Sequence, residues 1–200
     1  MKKQERIREE LQENFSSALL EDDVLFLHTL YSKLRKLNRN TLNTETECVD
    51  LSDLAENICI AADILLRESG KTVVFCGNDT SPVYGNRQVL TKAILEGLGN
   101  ACIFGKSSLI TLKTCEHKNF VSAEIQSLGE FSRCDGEGLK FIRNAVKTFD
   151  GEMFTVSSHG YSSLVLTLKK SNNIKPLENR SFIDLVSDRL SPVFIELYGI

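Results

Sequence analysis

No run of apolar residues in the 200-residue chain approaches the roughly 18 needed to cross a bilayer. Nor does an apolar stretch follow the basic opening Met1-Lys2-Lys3, so a secretory leader is not expected. A surplus of positive charge is also missing: 24 lysines and arginines face 27 aspartates and glutamates, a formal charge of −3 at pH 7. A groove that neutralises phosphates usually leaves a basic excess, so nucleic acid is not an expected partner. The six cysteines (Cys48, Cys59, Cys76, Cys102, Cys115 and Cys134) include no Cys-x-x-Cys pair. That speaks against structural zinc, and their spacing is too sparse for a disulfide scaffold. Internal repeats and low-complexity tracts are absent as well. What remains is a globular chain, expected in the cytoplasm, with 42% hydrophobic and 26% charged residues. Its length suits one domain with an appendage, or two small ones.

Apolar residues recur at helical spacing in residues 3–20 (Ile7, Leu11, Phe15, Ala18, Leu19) and again at Leu27, Leu30, Leu34 and Leu37. The acidic break Glu21-Asp22-Asp23 separates the two stretches, so residues 1–42 read as a helical hairpin. Its stripes need cover, from a second copy in a four-helix bundle or from the chain's own globular domain. Residues 40–48 are polar and aperiodic, a linker.

Beyond it the spacing predicts a helix from Ser52, with Ser52 as cap, to Glu68, and a strand over Thr72–Cys76. A turn at 78–82 precedes a helix over Arg87–Phe104. A hairpin follows (Leu109–Thr114 with Phe120–Gln126), then a helix over Leu139–Phe149 and a closing strand pair (Met153–Ser157 with Ser163–Leu168). Antiparallel strand pairs carrying helices with one apolar face make a two-layer α/β sandwich. The tail, 170–200, predicts a helix over Ser181–Leu190 and a strand or apolar docking segment over Pro192–Tyr198. An apolar segment of this kind is covered by the chain itself or by a partner.

The helix Arg87–Phe104 carries most information about function. Leu90, Ile94, Leu98 and Ala101 share the face that meets the sheet, while Glu96 and Asn100, four apart, lie opposite and are expected to face a cleft. A carboxylate and an amide there can orient water and ligate a hard cation through oxygen. Taken alone, such a pair also describes an ordinary solvated face. It does not stand alone. Val83-Tyr84-Gly85-Asn86-Arg87-Gln88-Val89-Leu90, followed by Ile94-Leu95-Glu96-Gly97-Leu98-Gly99-Asn100-Ala101, resembles the asparagine box of the histidine kinase ATPase family. Gly136-Glu137-Gly138-Leu139-Lys140-Phe141-Ile142 resembles its second glycine box. Phe149-Asp150-Gly151-Glu152-Met153 is similar to the turn after the helix of that box, and Val156–Ser158 with Ser162–Leu166 to the closing hairpin. Upstream, Val49–Leu54 resembles the entry from a helical dimerisation domain. The likeness spans residues 49–169 and belongs to the gyrase, histidine kinase and MutL superfamily, whose shared architecture is the Bergerat fold.

The resemblance implies that Asn100 ligates a magnesium ion bridging the phosphates of ATP. It implies that Gly136 and Gly138 let backbone amides approach those phosphates at a helix start. Glu96 stands where kinases carry asparagine and where the gyrase and MutL branches carry a water-activating glutamate, a sensible general base. The chain also departs from the pattern. In the first glycine box, Ser127-Leu128-Gly129-Glu130-Phe131, Ser127 replaces the aspartate that binds the adenine amino group, with loss of a charge-assisted bond. Gly129 is kept, but Phe131 replaces the last glycine. Only Glu130–Asp135 separate Gly129 from Gly136, so the lid is nearly absent. Ile103 replaces a phosphate-binding cation, for which Lys106 is a nearby substitute. These departures imply a degenerate nucleotide site.

For a phosphoacceptor, Phe26–Arg35 faintly resembles the kinase histidine motif, with Ser32 at the histidine's place and His28 one turn earlier. His28 is the candidate, although a histidine in a leucine-rich helix is more often a bystander. The expectation is a two-component-type regulatory or phosphotransfer module that dimerises through the hairpin and contacts a response regulator or partner kinase. The alternatives are an active ATP- and magnesium-dependent kinase or ATPase, and a structural adaptor working through the tail.

Overall fold

The computed structural model describes residues 24–39, 44–129, 136–172 and 181–200. The predicted helix at 3–20 and the residues 130–135, Phe131 included, lie outside that set. In chain order the elements are α1 (Val24–Arg39), β1 (Glu47–Asp50), α2 (Leu51–Leu66), β2 (Thr72–Cys76), β3 (Pro82–Gly85) and α3 (Arg87–Phe104). Then come β4 (Leu109–Glu116), β5 (Phe120–Leu128), α4 (Glu137–Thr148), β6 (Glu152–Ser158), β7 (Tyr161–Lys169), α5 (Phe182–Ser187) and α6 (Pro192–Leu197).

Five strands form one sheet in the order β2-β4-β5-β7-β6. β2 and β4 are parallel, joined by a crossover through β3 and α3, and the remaining pairs are antiparallel. Alternation sends Ile110 and Leu112 of β4, Val121, Ala123 and Ile125 of β5, and Leu164, Leu166 and Leu168 of β7 to one face, where all are buried. Against them lie Ile58 and Ala62 of α2, Leu90, Ile94 and Leu98 of α3, and Ile142 and Val146 of α4, in one continuous core. The two-layer α/β sandwich expected from the sequence is the architecture observed. Each fully buried leucine or isoleucine contributes roughly 1.5–3 kcal/mol, so this face dominates the stability.

Two local features depart from the sequence expectation. The first is a second, two-stranded sheet in which Glu47 to Asp50 pair antiparallel with Gly85 to Pro82, so the expected linker ends at β1. Glu47 fixes it by accepting the backbone N–H of Arg87 at 2.8 Å. The second is the start of α2, capped by Asp50 rather than Ser52. The Asp50 carboxylate accepts from the backbone of Ser52 (3.1 Å), Asp53 (3.3 Å) and Ser81 (3.0 Å). Ser52 instead donates its hydroxyl to Ser81 at 2.9 Å and lies 2.7 Å from the hydroxyl of Thr114. A buried hydroxyl cluster thus ties α2, the entry to β3 and strand β4 together.

The tail forms two short helices. Ser191 accepts from the backbone of Phe194 and Pro192 opens α6, so the segment expected as a strand or docking element is helical. Leu190 and Ile195 close over Leu27, Leu30, Tyr31 and Leu34 of α1, which are all buried. Of the two covers left open for this stripe, the structure shows the chain's own; Leu37 stays 42% exposed.

Burial pushes the thiols of Cys59 and Cys102 up, to about 12 and about 11, with the charges of Glu56 and Asp63 adding to the effect at Cys59. The thiolate is the nucleophile. Alkylation of the native protein at pH 8, read by peptide mass spectrometry, is therefore expected at the exposed Cys76 and Cys115 first. Labelling of Cys59 and Cys102 is expected only after unfolding.

Candidate functional site

Helix α3 lies flat on the sheet because Gly97 faces β5 and β7: a β-carbon there would run into the side chain of Ile125 and come within 3.0 Å of Leu164. Asn86 starts the helix by accepting from the backbone of Val89 at 3.3 Å. With its sheet side so fixed, α3 turns Glu96 and Asn100 toward the first turn of α4. A β-carbon on Gly138 would sit 2.6 Å from Glu96 Oε2 and 3.6 Å from Asn100 Nδ2. Three residues drawn from two distant segments therefore meet at one place. Gly136, two positions earlier, is the N-cap of α4 and supplies no side-chain cap. It is exposed, and no heavy atom lies within 4 Å of where its β-carbon would be.

The other glycine box reaches the same helix at its far end. Gly129, at φ +107°, forms an isolated antiparallel bridge with Gly105, the C-cap of α3. Its positive φ suits glycine, and the missing side chain lets the backbone N–H of Lys106 approach, 3.0 Å from where a β-carbon would stand. Lys106 donates that N–H to Leu128 at 2.7 Å. Ser127 is buried on the helix-facing side of β5, with its hydroxyl 3.5 Å from the carbonyl of Leu109. A β-carbon on Gly105 would lie 2.9 Å from that same hydroxyl. Glu96 and Gly105 are nine residues apart, about 13 Å along a helix. Both glycine-bearing segments therefore meet the C-terminal half of α3, Gly138 at Glu96 and Asn100 and Gly129 at Gly105. Gly105 reads in sequence only as a helix stop; its pairing with Gly129 carries no local signal.

Glu96 does not face an open cleft, as its position opposite the apolar stripe suggests. It is 5% exposed, closed over by α4, while Asn100 remains partly exposed. The start of a helix offers unpaired N–H groups and partial positive charge, so a carboxylate there is electrostatically favoured. An open cavity of about 290 Å³ lies at the opposite end of α4, lined by Thr46, Tyr84, Thr148, Phe149, Asp150 and Lys169. His28 is brought to neither glycine box. It is exposed on α1, its ring 5.6 Å from that of Tyr198 and over the backbone of Gly199.

The Glu96 carboxylate and the Asn100 amide oxygen are hard donors that suit a magnesium ion, and the glycine at 138 is what admits α4 to them. Among the described residues no group of three or more histidines, cysteines, aspartates or glutamates could cage a metal unaided. A cation here would take its remaining ligands from water or a bound anion.

These features, a mixed sheet backed by helices with an asparagine-bearing helix that two glycine-bearing segments approach, are those of the fold of histidine kinase ATP-binding domains. Solved structures agree. The histidine kinase AdeS of Acinetobacter baumannii superposes with a TM-score of 0.57 at 17% identity, over 79% of this chain and 84% of that one. The ATP-binding domain of PrrB from Mycobacterium tuberculosis gives 0.56 at 21% identity, over 64% of this chain and 99% of that one. Full-length ShkA in complex with AMPPNP gives 0.61 at 16% identity, over 83% of this chain but only 40% of ShkA. The sequence matches no protein-family model and no curated protein. The likeness is therefore one of fold, carried by structure rather than by sequence identity.

The contact at Gly138 predicts an asymmetry between the two glycines of the α4 start. In Gly138→Ala the added methyl meets only the end of the Glu96 side chain, so a displaced carboxylate is expected at a stability change of about 1 kcal/mol or less. Gly136→Ala meets no atom and is expected to leave Glu96 in place, losing about 0.5–1 kcal/mol because alanine is a poorer N-cap than glycine. Crystal structures of both variants check this, and a Glu96 carboxylate unmoved in Gly138→Ala would contradict the geometry.

Proposed function

We propose that this chain is a two-component-type signalling module that uses the histidine kinase ATPase scaffold with a degenerate nucleotide site. The observation that carries the reading is the meeting of Glu96, Asn100 and Gly138 at the start of α4. It supplies the magnesium and phosphate half of a nucleotide site, while the base half has lost its charged acceptor. Ser127, in the adenine-binding position, is buried beside Gly105. Glu96 itself lies under the helix start that phosphates would use. A nucleotide would have to compete with that internal carboxylate. No helix among the described residues is long and apolar enough to cross a membrane. A response regulator or a partner kinase is the proposed partner.

Within this reading His28 is the proposed phosphorelay residue. The phosphoryl group would pass from the nitrogen of a partner's phosphohistidine or the oxygen of its phosphoaspartate to the unprotonated imidazole nitrogen of His28, the ring's other nitrogen releasing its proton to solvent and the donor side chain being regenerated; it would then pass to an acceptor aspartate. Exposure of His28 supports access. Transfer of radiolabelled phosphate from a partner is expected to vanish in His28→Ala, and transfer that survives ends the relay role. A homodimer through the N-terminal helices is also proposed. Because Leu27, Leu30 and Leu34 are already covered, it would have to use residues 1–23 or the exposed face of α1 that carries Leu37.

The second reading, an active ATP- and magnesium-dependent kinase or ATPase, is favoured by the intact Asn100, Gly129, Gly136 and Gly138. In it Glu96 would activate water as general base. Isothermal titration with magnesium and ATP separates the two. The degenerate module predicts no binding tighter than a Kd of about 1 mM, or −4 kcal/mol. Micromolar binding that disappears in Asn100→Ala would establish the enzyme instead.

A further inference from the structure

Residues 181–200 lie beyond the part of the chain that resembles the kinase ATPase family, yet they touch both the first described helix and the site helix. α6 is apolar on two sides. Ile195, with Leu190 just before the helix, packs on Leu27, Leu30, Tyr31 and Leu34 of α1. Val193 and Leu197 belong to the main core with α2 and α3. A six-residue helix buried on opposite sides has little stability of its own and is held by what it joins.

The polar contacts follow the same plan. On the α1 side, Arg35 donates from Nε to the carbonyl of Ile195 at 2.6 Å and from Nη2 to that of Tyr198 at 2.9 Å. These bonds satisfy carbonyls at the C-terminal end of α6, where a cation is also favoured. Tyr31 donates its hydroxyl to the carbonyl of Arg189 at 3.0 Å. The His28 ring lies over Gly199, whose φ of +79° and absent β-carbon leave room for it. On the α3 side, a β-carbon at Gly99 would touch Ile200 at 3.6 Å and the carbonyl of Glu196 at 3.9 Å.

Between the two sides stands Glu196, buried at 5% exposure. Its carboxylate is 4.0 Å from Arg35 Nε, and its charge acts on Lys92 of α3, opposing the burial that pulls the lysine's pKa down. Lys92, Glu96 and Asn100 follow one another at intervals of four along α3. One carboxylate thus answers a cation on α1 and a cation one turn before the site residue Glu96.

We infer that residues 181–200 are a strap that makes α1 and the site helix α3 one mechanical unit, with Glu196 as the positioning residue the two share. A displacement of α1 then alters the turns that carry Glu96 and Asn100. By linkage, a change at those turns alters how firmly α1 is held. The inference stands on the packing and polar contacts of residues 181–200 and does not require that a nucleotide binds.

Hydrogen exchange read by mass spectrometry on the full chain tests it. Gly199→Ala and Arg35→Ala disturb the strap from the α1 side, leaving untouched every group on α3. Each is expected to speed exchange at least tenfold in α1 and, with it, in the α3 peptide spanning Lys92 to Asn100, while peptides of β5 and β7 stay unchanged. Lys92→Met, which removes from α3 the cation that the Glu196 charge favours, is expected to speed exchange in α1. Faster exchange in α1 alone, or a Lys92→Met protein whose α1 exchanges as in the parent, would overturn the coupling. Should Arg35→Ala also loosen β5 and β7, Gly199→Ala and Lys92→Met still decide the matter.

Discussion

The close fit of α3 against its neighbours is the constraint on which the remaining structure depends. The helix carries glycine at position 97 within its length, at a cost of roughly 1 kcal/mol relative to alanine in helix propensity. The return is contact: Gly97 brings the helix axis down onto Ile125 and Leu164, and Gly138 of α4 then closes on Glu96 and Asn100. Were α3 raised from the sheet by a methyl group, the two glycine-bearing segments could not both reach its C-terminal half. Site and core are therefore one packing problem.

That fit also explains the chemical character of the site. A glutamate at a helix start is stabilised by the same partial charges that would stabilise a phosphate. Here it is placed under the helix, whereas the amide one turn later remains accessible. The arrangement brings a carboxylate and an amide to one helix start, with the carboxylate filling part of the space beneath it. The hydroxyl of Ser127, beside the C-cap Gly105, is buried as well.

Much of the fold was legible because its elements are long and their periods clean. The stripe Leu90, Ile94, Leu98 set the sheet-facing side of α3, and alternation in β4, β5 and β7 set theirs. The order of the motifs named the architecture. What could not be read is what depends on tertiary partners. β1 and β3 are four residues each and exist by pairing with one another, so neither has a periodic signal. Ser52 and Asp50 are both good caps, and the choice between them was made by Ser81 and Thr114, far along the chain. Pro192–Leu197 is a short apolar run, which strand and helix share; burial on two sides selected helix. Opposite faces of α3 followed from spacing, but the burial of Glu96 needed α4, whose approach is encoded at Gly138, 42 residues later.

The contacts between α1 and the tail have a further consequence for how the molecule is made. Tyr31 and Arg35 find their partners 158 to 163 residues downstream. At translation rates of about 5–20 residues per second, Leu27, Leu30 and Leu34 leave the ribosome on the order of ten to thirty seconds before Leu190 and Ile195, which cover them among the described residues. For that interval a greasy helix waits while the sheet assembles behind it. Among the described residues, cover for that face of α1 comes only with the synthesis of residues 181–200.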